Sequence, residues 1–138
     1  MDTKFSVALH ILIYISETDK VVSSELLAKS VNTNSSHIRK ILAVLKKGGL
    51  IDSQQGKTGI TLAKETKDIT LAEIYKIIYP DKYLVNIHEG ANKECPVGFN
   101  IENLLQPVFN EAQEAFYKKL ESKTLEKLIK ELYIIGEK

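Results

Sequence analysis

The sequence predicts a mainly α-helical chain that carries one small β-hairpin and ends in a long helix. Three observations predict it. Apolar residues recur at spacings of three and four through most of the 138 residues. One pair of short β-prone runs, 50–54 and 60–63, breaks that period, with a glycine-bearing turn between them. Near the C-terminus Ile101, Leu104, Leu105, Val108, Ala112, Phe116 and Leu120 hold a single helical stripe.

Composition bounds the rest. A hydrophobic content of 43% is enough for a core, and 27% charged residues is ordinary for a globular chain. The apolar run 11–15 is far too short to span a bilayer, and no basic region precedes a long apolar core at the start, so neither a membrane span nor a secretory signal is expected. One cysteine, Cys95, cannot form an internal disulfide and fits a reducing cytoplasm. Net charge is only +1, but residues 1–64 hold nine Lys and Arg against five Asp and Glu, whereas residues 65–138 hold ten against thirteen. The basic half suits contact with phosphates.

In chain order, Thr3 is placed to cap a first helix running to about Glu17. Its broad apolar side carries Phe5, Ala8, Leu9, Leu12, Ile13 and Ile15, and His10 reads as a core or edge histidine rather than a ligand. Ser23 or Ser24 caps the next helix, with Glu25 well placed for the helix dipole. Two short helical runs, 24–30 and 35–47, then flank a tight connection at 31–34. Leu27, Val31, Ile38 and Ile41 fall where two crossing helices bury side chains against each other. Ala28 sits at their closest approach. Asn32 occupies the turn, where a residue tolerant of positive φ is wanted. This is the pattern of a helix-turn-helix. Its second helix presents Ser35, Ser36, His37, Arg39 and Lys40, short hydrogen-bonding and basic groups that read base edges and hold phosphates. The competing reading is a helical hairpin inside another all-α domain.

Lys46 and Lys47 suit the last turn of that helix, and Gly48-Gly49 ends it. A hairpin directly after a recognition helix is a wing. Its tip, Gln55-Gly56-Lys57-Thr58-Gly59, offers Lys57 to the duplex backbone, unless the hairpin merely covers the core. Thr70 and Glu73 form a capping box that opens a helix bearing Leu71, Ile74, Ile77 and Ile78, and Pro80 ends it. Residues 83–100 read as a loop containing His88, Cys95, Pro96 and Gly98. Asn100 is placed to cap the long helix, in which Pro107 predicts a kink or an irregular start. That helix is expected to end near Glu121, and Thr124 to start a last one with Leu125, Leu128, Ile129 and Leu132.

No other apolar layer in the C-terminal half is available to cover the long helix, so a homodimer built on it is expected. The alternative is that it folds back onto its own N-terminal half. The organisation expected is a winged helix-turn-helix domain over 1–80, a loop-rich sensor or connector segment over 81–99, and dimerisation helices over 100–138.

The order of these elements, with the run Leu45-Lys46-Lys47-Gly48-Gly49-Leu50-Ile51, the wing ending Ile60-Thr61-Leu62-Ala63, the capped Thr70-Leu71 helix, and Cys95-Pro96-Val97-Gly98 before a long helix, resembles the Rrf2 family of bacterial winged-helix transcription regulators. With Asn34, Ile38 and Arg39 before Leu42 and Leu45, it looks most like the YwnA-like branch. The resemblance covers nearly the whole chain. It implies a cytoplasmic homodimer that binds a roughly palindromic operator, usually as a repressor. Several members bind an iron–sulfur cluster through three cysteines before the long helix. This chain has only Cys95 there, so no cluster and no other cofactor is expected. The wing reads Gly56-Lys57-Thr58-Gly59 where many members carry an arginine and more glycines.

Arg39 leads the DNA-binding candidates, because its planar fork can grip guanine or phosphate bidentately. Lys29, Lys46, Lys47, Lys57 and Lys64 are assigned to phosphates, and for Lys46 and Lys47 a helix-end role competes. Cys95, in a Gly/Pro loop beside Lys93, is a candidate redox sensor, against the plainer reading of an ordinary free thiol. An unidentified small-molecule effector at the loop-to-helix region is also compatible. His10, His37, His88 and Cys95 show no metal-ligand spacing. No nucleotide loop, nucleophile elbow or zinc-protease motif occurs, so no enzyme is expected. A His88–Cys95 pair is the one catalytic alternative, and a winged-helix protein-interaction module without DNA binding is the other.

Overall fold

The computed structural model describes residues 2–53 and 59–136. Its elements in order are α1 (Lys4–Glu17), α2 (Ser24–Val31), α3 (Ser35–Lys47), β1 (Ile51–Ser53), β2 (Ile60–Leu62), a 3-10 turn (Thr66–Asp68), α4 (Leu71–Ile78), α5 (Pro96–Glu121) and α6 (Leu125–Gly136). β1 and β2 form an antiparallel pair with Ile51 opposite Leu62 and Ser53 opposite Ile60.

Local chemistry fixes most of these boundaries. Ser23 Oγ accepts from the Leu26 amide at 3.2 Å and caps α2. Asn32 ends it in the left-handed region, at φ 64° and ψ 54°. Asn34 Oδ1 accepts from the His37 amide at 2.8 Å and caps α3. Thr3 stands at the N-cap of α1 without a side-chain hydrogen bond, and Asp2 Oδ1 takes the Lys4 amide instead at 2.9 Å. Thr70 Oγ1 accepts from the Glu73 amide at 3.1 Å, so half of the expected capping box forms. The other half does not, because the Glu73 carboxylate turns to Lys64 Nζ, 2.8 Å from each oxygen.

The long helix begins earlier than the sequence suggests. Cys95 is its N-cap and Pro96 its first residue, where a fixed φ and a missing N–H cost nothing. Asn100 lies inside it and donates from Nδ2 to the Pro96 carbonyl at 2.7 Å. The helix is unbroken through Pro107.

One core joins the elements. Ala8, Ile11 and Leu12 of α1, Leu27 of α2, Ile38, Ile41 and Leu45 of α3, and Ile74 of α4 are buried together with Leu125 and Ile129 of α6. The start of α6 is tied in by backbone: the Leu71 amide donates to Lys123 O and the Leu125 amide to Ile69 O, both at 2.9 Å. Thr124 Oγ1 accepts from the Lys127 amide at 3.2 Å, as an N-cap does. Tyr75 is an aromatic hub, with Phe5 of α1 at 5.1 Å and Phe116 and Tyr117 of α5 at 5.0 and 5.7 Å, all edge-on. The C-terminal part of α5 is thereby anchored on α4. Its first half keeps an open apolar face: Val97, Phe99, Leu104 and Val108 are exposed on the single chain, and no residue of α5 is fully buried.

Candidate nucleic-acid interface

α3 is seated by Ile38, Ile41, Leu42 and Leu45, all buried. Burying that stripe turns the opposite one outward. Ser36, Arg39, Lys40 and Ala43 are exposed there, and Ser35 and His37 are half-buried at the edge. Spacings of three and four place Ser36, Arg39, Lys40 and Ala43 on one helical face. The predicted residues are therefore brought together rather than scattered. Ala43 was not singled out from sequence, yet it follows from Arg39 by four positions. A small apolar side chain there suits a thymine methyl.

Around this helix lie further cations. Lys29 of α2 is exposed. Lys46 reaches the hairpin, its Nζ donating to Ser53 Oγ at 2.9 Å, so it links α3 to β1. The expected phosphate role for Lys64 meets a competing partner, because its ammonium is paired with Glu73. Lys57 lies outside the described residues, and with it the wing-tip contact. A cleft of about 380 Å³ separates α3 from the hairpin; the apolar Leu42, Ala43, Ile51 and Ile60 line it together with Ser24, Arg39, Lys46 and Ser53. Gly59 lets the hairpin return close to the chain before α2: its φ is +62°, and a Cβ there would fall 2.5 Å from the Val22 carbonyl oxygen.

Away from this surface, His10 donates or accepts at Ser30 Oγ, 2.9 Å away, and is an exposed edge residue of α1. Cys95 is exposed. Its thiol is held below the ordinary range by the backbone N–H groups of Gly98 and then Val97, at the start of α5. The sequence suggested Lys93 as the cause; the amides take that part. Iodoacetamide alkylation of Cys95 should therefore reach half its maximal rate at a lower pH in the folded protein than in urea. Coincident profiles would show that the amides do not act on the sulfur. A second cleft, of about 520 Å³, lies beside Tyr83, Val85, Asn86 and Ile87, with Glu102, Gln106 and Asn110 of α5 on its other side.

A hairpin following a helix-turn-helix, with an exposed basic and hydroxylic stripe on the second helix, defines a winged-helix regulator of the DNA-binding type. The sequence profile of Rrf2, described as an iron-dependent transcriptional regulator, matches residues 1–131. The chain belongs to the Rrf2 family, which is one of transcriptional regulators and not of enzymes. It is 38% identical over 133 residues to YwnA of Bacillus subtilis, a candidate HTH-type transcriptional regulator, covering 96% of this chain and 99% of that one. The HTH-type transcriptional regulator NsrR of Oceanobacillus iheyensis is 29% identical over 126 residues, covering 89% and 84%. The crystal structure of a Lactobacillus plantarum candidate transcriptional regulator superposes with a TM-score of 0.78 at 28% identity, over 96% of this chain and 91% of that one. No helix among the described residues is long and apolar enough to cross a membrane.

The family description implies iron, and the residues present do not fit an iron–sulfur cluster. Such clusters are held by several thiolates, and this chain has a single cysteine. Among the described residues no three His, Cys, Asp or Glu side chains are gathered to hold a metal ion.

Proposed function

We propose that the protein is a cytoplasmic homodimeric repressor that binds a roughly palindromic operator through α3 and the wing, without an iron–sulfur cluster. The observation that carries DNA reading by these residues is the exposed face of α3, where Ser36, Arg39, Lys40 and Ala43 stand clear of the core. Support for the dimer comes from the uncovered apolar residues on the first half of α5, which lie beyond its anchorage at Tyr75. Two copies joined there would offer two α3 helices to a duplex, and matched half-sites about 34 Å apart would accept them. Ser35, His37, Lys29 and Lys46 flank the central stripe as phosphate contacts, and Lys57 extends them at the wing. An exposed, acidified Cys95 at the head of α5 supports a redox response. The cleft beside residues 83–87 supports a small-molecule effector.

Footprinting on genomic DNA, followed by titration of the recovered duplex across a salt series, tests this. Binding should weaken steeply as salt rises, because phosphate contacts release counterions. Arg39→Ala should lose roughly 1–3 kcal/mol of operator affinity. Operator binding that is indifferent to salt and to Arg39 would overturn the assignment. Peroxide oxidation of Cys95 should change operator affinity, and Cys95→Ser should abolish that change. A Cys95→Ser protein that still responds would remove the sulfur from the response.

A further inference from the structure

Glu25 stands in the first turn of α2, and its Oε1 lies 4.0 Å from Nη1 of Arg39 on α3. The pair spans the two helices of the helix-turn-helix, and its Arg39 also lines the cleft between α3 and the hairpin. Both side chains remain largely exposed, at 58% and 73% for Arg39 and Glu25. Such a pair adds little to stability. Its interest lies in where it sits. The neighbouring Lys46 donates to Ser53 Oγ, and among the described residues the cation paired with Glu25 is Arg39.

We propose that Glu25 is a positioning and specificity-determining residue: it orients the Arg39 guanidinium and penalises complexes in which that group meets only phosphate. The proposal rests on the reading of α3 as the DNA-reading helix. The physical reason is the difference between a charge and a dipole. A guanidinium has two edges, and a carboxylate on one leaves the other free for the O6 and N7 acceptors of guanine. Guanine is neutral, so the carboxylate behind the arginine is tolerated. A phosphate is an anion. It competes with Glu25 for the same cation and is repelled by it, so phosphate-only binding is weakened more. Binding to arbitrary sequence is almost wholly of that kind. Glu25 therefore acts as a filter against random duplex, and also removes rotamer freedom from a long side chain before contact.

The test is a double-mutant cycle on the full chain, with Glu25→Gln, Arg39→Ala and the double variant. Each is titrated against the duplex recovered by footprinting and against a random-sequence duplex of equal length, over a salt series. Glu25→Gln should raise random-duplex affinity by about 3- to 10-fold and operator affinity by less than about 2-fold. The salt slope on random duplex should steepen by about one phosphate contact. In the Arg39→Ala background the same change should alter both duplexes equally. Equal gains on the two duplexes with Arg39 present, or a selective gain that survives its removal, would overturn the proposal while leaving DNA binding intact. Wild-type protein with no salt-dependent binding to either duplex would instead remove the DNA-reading assignment, and the filter with it. Thermal melts of all four proteins should agree closely, since Gln keeps the shape of Glu and the pair is exposed.

Discussion

A chain carrying Leu104→Glu and Val108→Glu is expected to sediment as a monomer and to bind its operator at least about 100-fold more weakly than wild type. Leu104 is 66% exposed and Val108 56% exposed on the single chain, on an open face of the first half of α5. Glutamate is a good helix former, so neither change should disturb the helix itself. In a dimer interface, by contrast, two carboxylates on each chain would be buried without partners, at a cost of several kcal/mol. Loss of the dimer separates the two recognition helices. The second half-site then loses its high effective concentration, which is worth roughly 10²–10⁴ in apparent affinity. Sedimentation velocity and the operator titration read the two effects separately. A double variant that stays dimeric would move the interface away from this face of α5, with the exposed Ile134 and Ile135 of α6 the next surface to examine. A monomer with undiminished operator affinity would show that the two α3 helices do not act together.

The helix-turn-helix was legible because its signals are local. Ser23, one of the two serines expected to cap α2, and Asn32 in the turn each act within four residues, and the structure has both in place; the Asn34 cap of α3 is equally local but was not singled out. The apolar stripe Ile38, Ile41, Leu42 and Leu45 likewise determines which face of α3 is free, so the candidate DNA-binding residues could be named before any fold was known. What escaped is what depends on distant chain. Lys64 looks like a free cation until Glu73 is brought beside it, and that pairing also undoes half of a capping box read from four adjacent residues. Glu25 looks like a dipole partner of its own helix until α3 crosses it. Tyr75 falls outside the stripe of Leu71, Ile74, Ile77 and Ile78, yet it touches α1 and α5 at once, because α4 is packed on more than one side. The start of α5 was missed for a different reason. Pro96 and Gly98 read as loop residues, whereas a proline in the first turn is a favourable way to begin a helix.

Ile74→Ala is the substitution expected to cost most in stability, about 2–5 kcal/mol, with Ile74→Val costing roughly 0.5–1.5 kcal/mol. Ile74 has no exposed surface and belongs to the core that also contains Ile11, Leu12, Ile38, Leu45 and Leu125. α4 packs against both α1 and α3, so no single element can shift to fill the space an alanine leaves. The consequence reaches the candidate DNA-binding surface. α3 presents its outer stripe only while its inner one is held, and α4 is part of what holds it. Urea denaturation at fixed protein concentration should show a lower midpoint for Ile74→Ala with the slope unchanged. Fixed concentration matters because association into the proposed dimer would add to the apparent stability. Leu104→Ala provides the contrast: at an exposed position of the single chain it should leave the unfolding of a monomer nearly unaltered and act through association. If Ile74→Ala proved as mild as Ile74→Val, the core around α4 would be plastic enough to collapse. The rigid seating of α3 would then have to come from α1, α2 and β1.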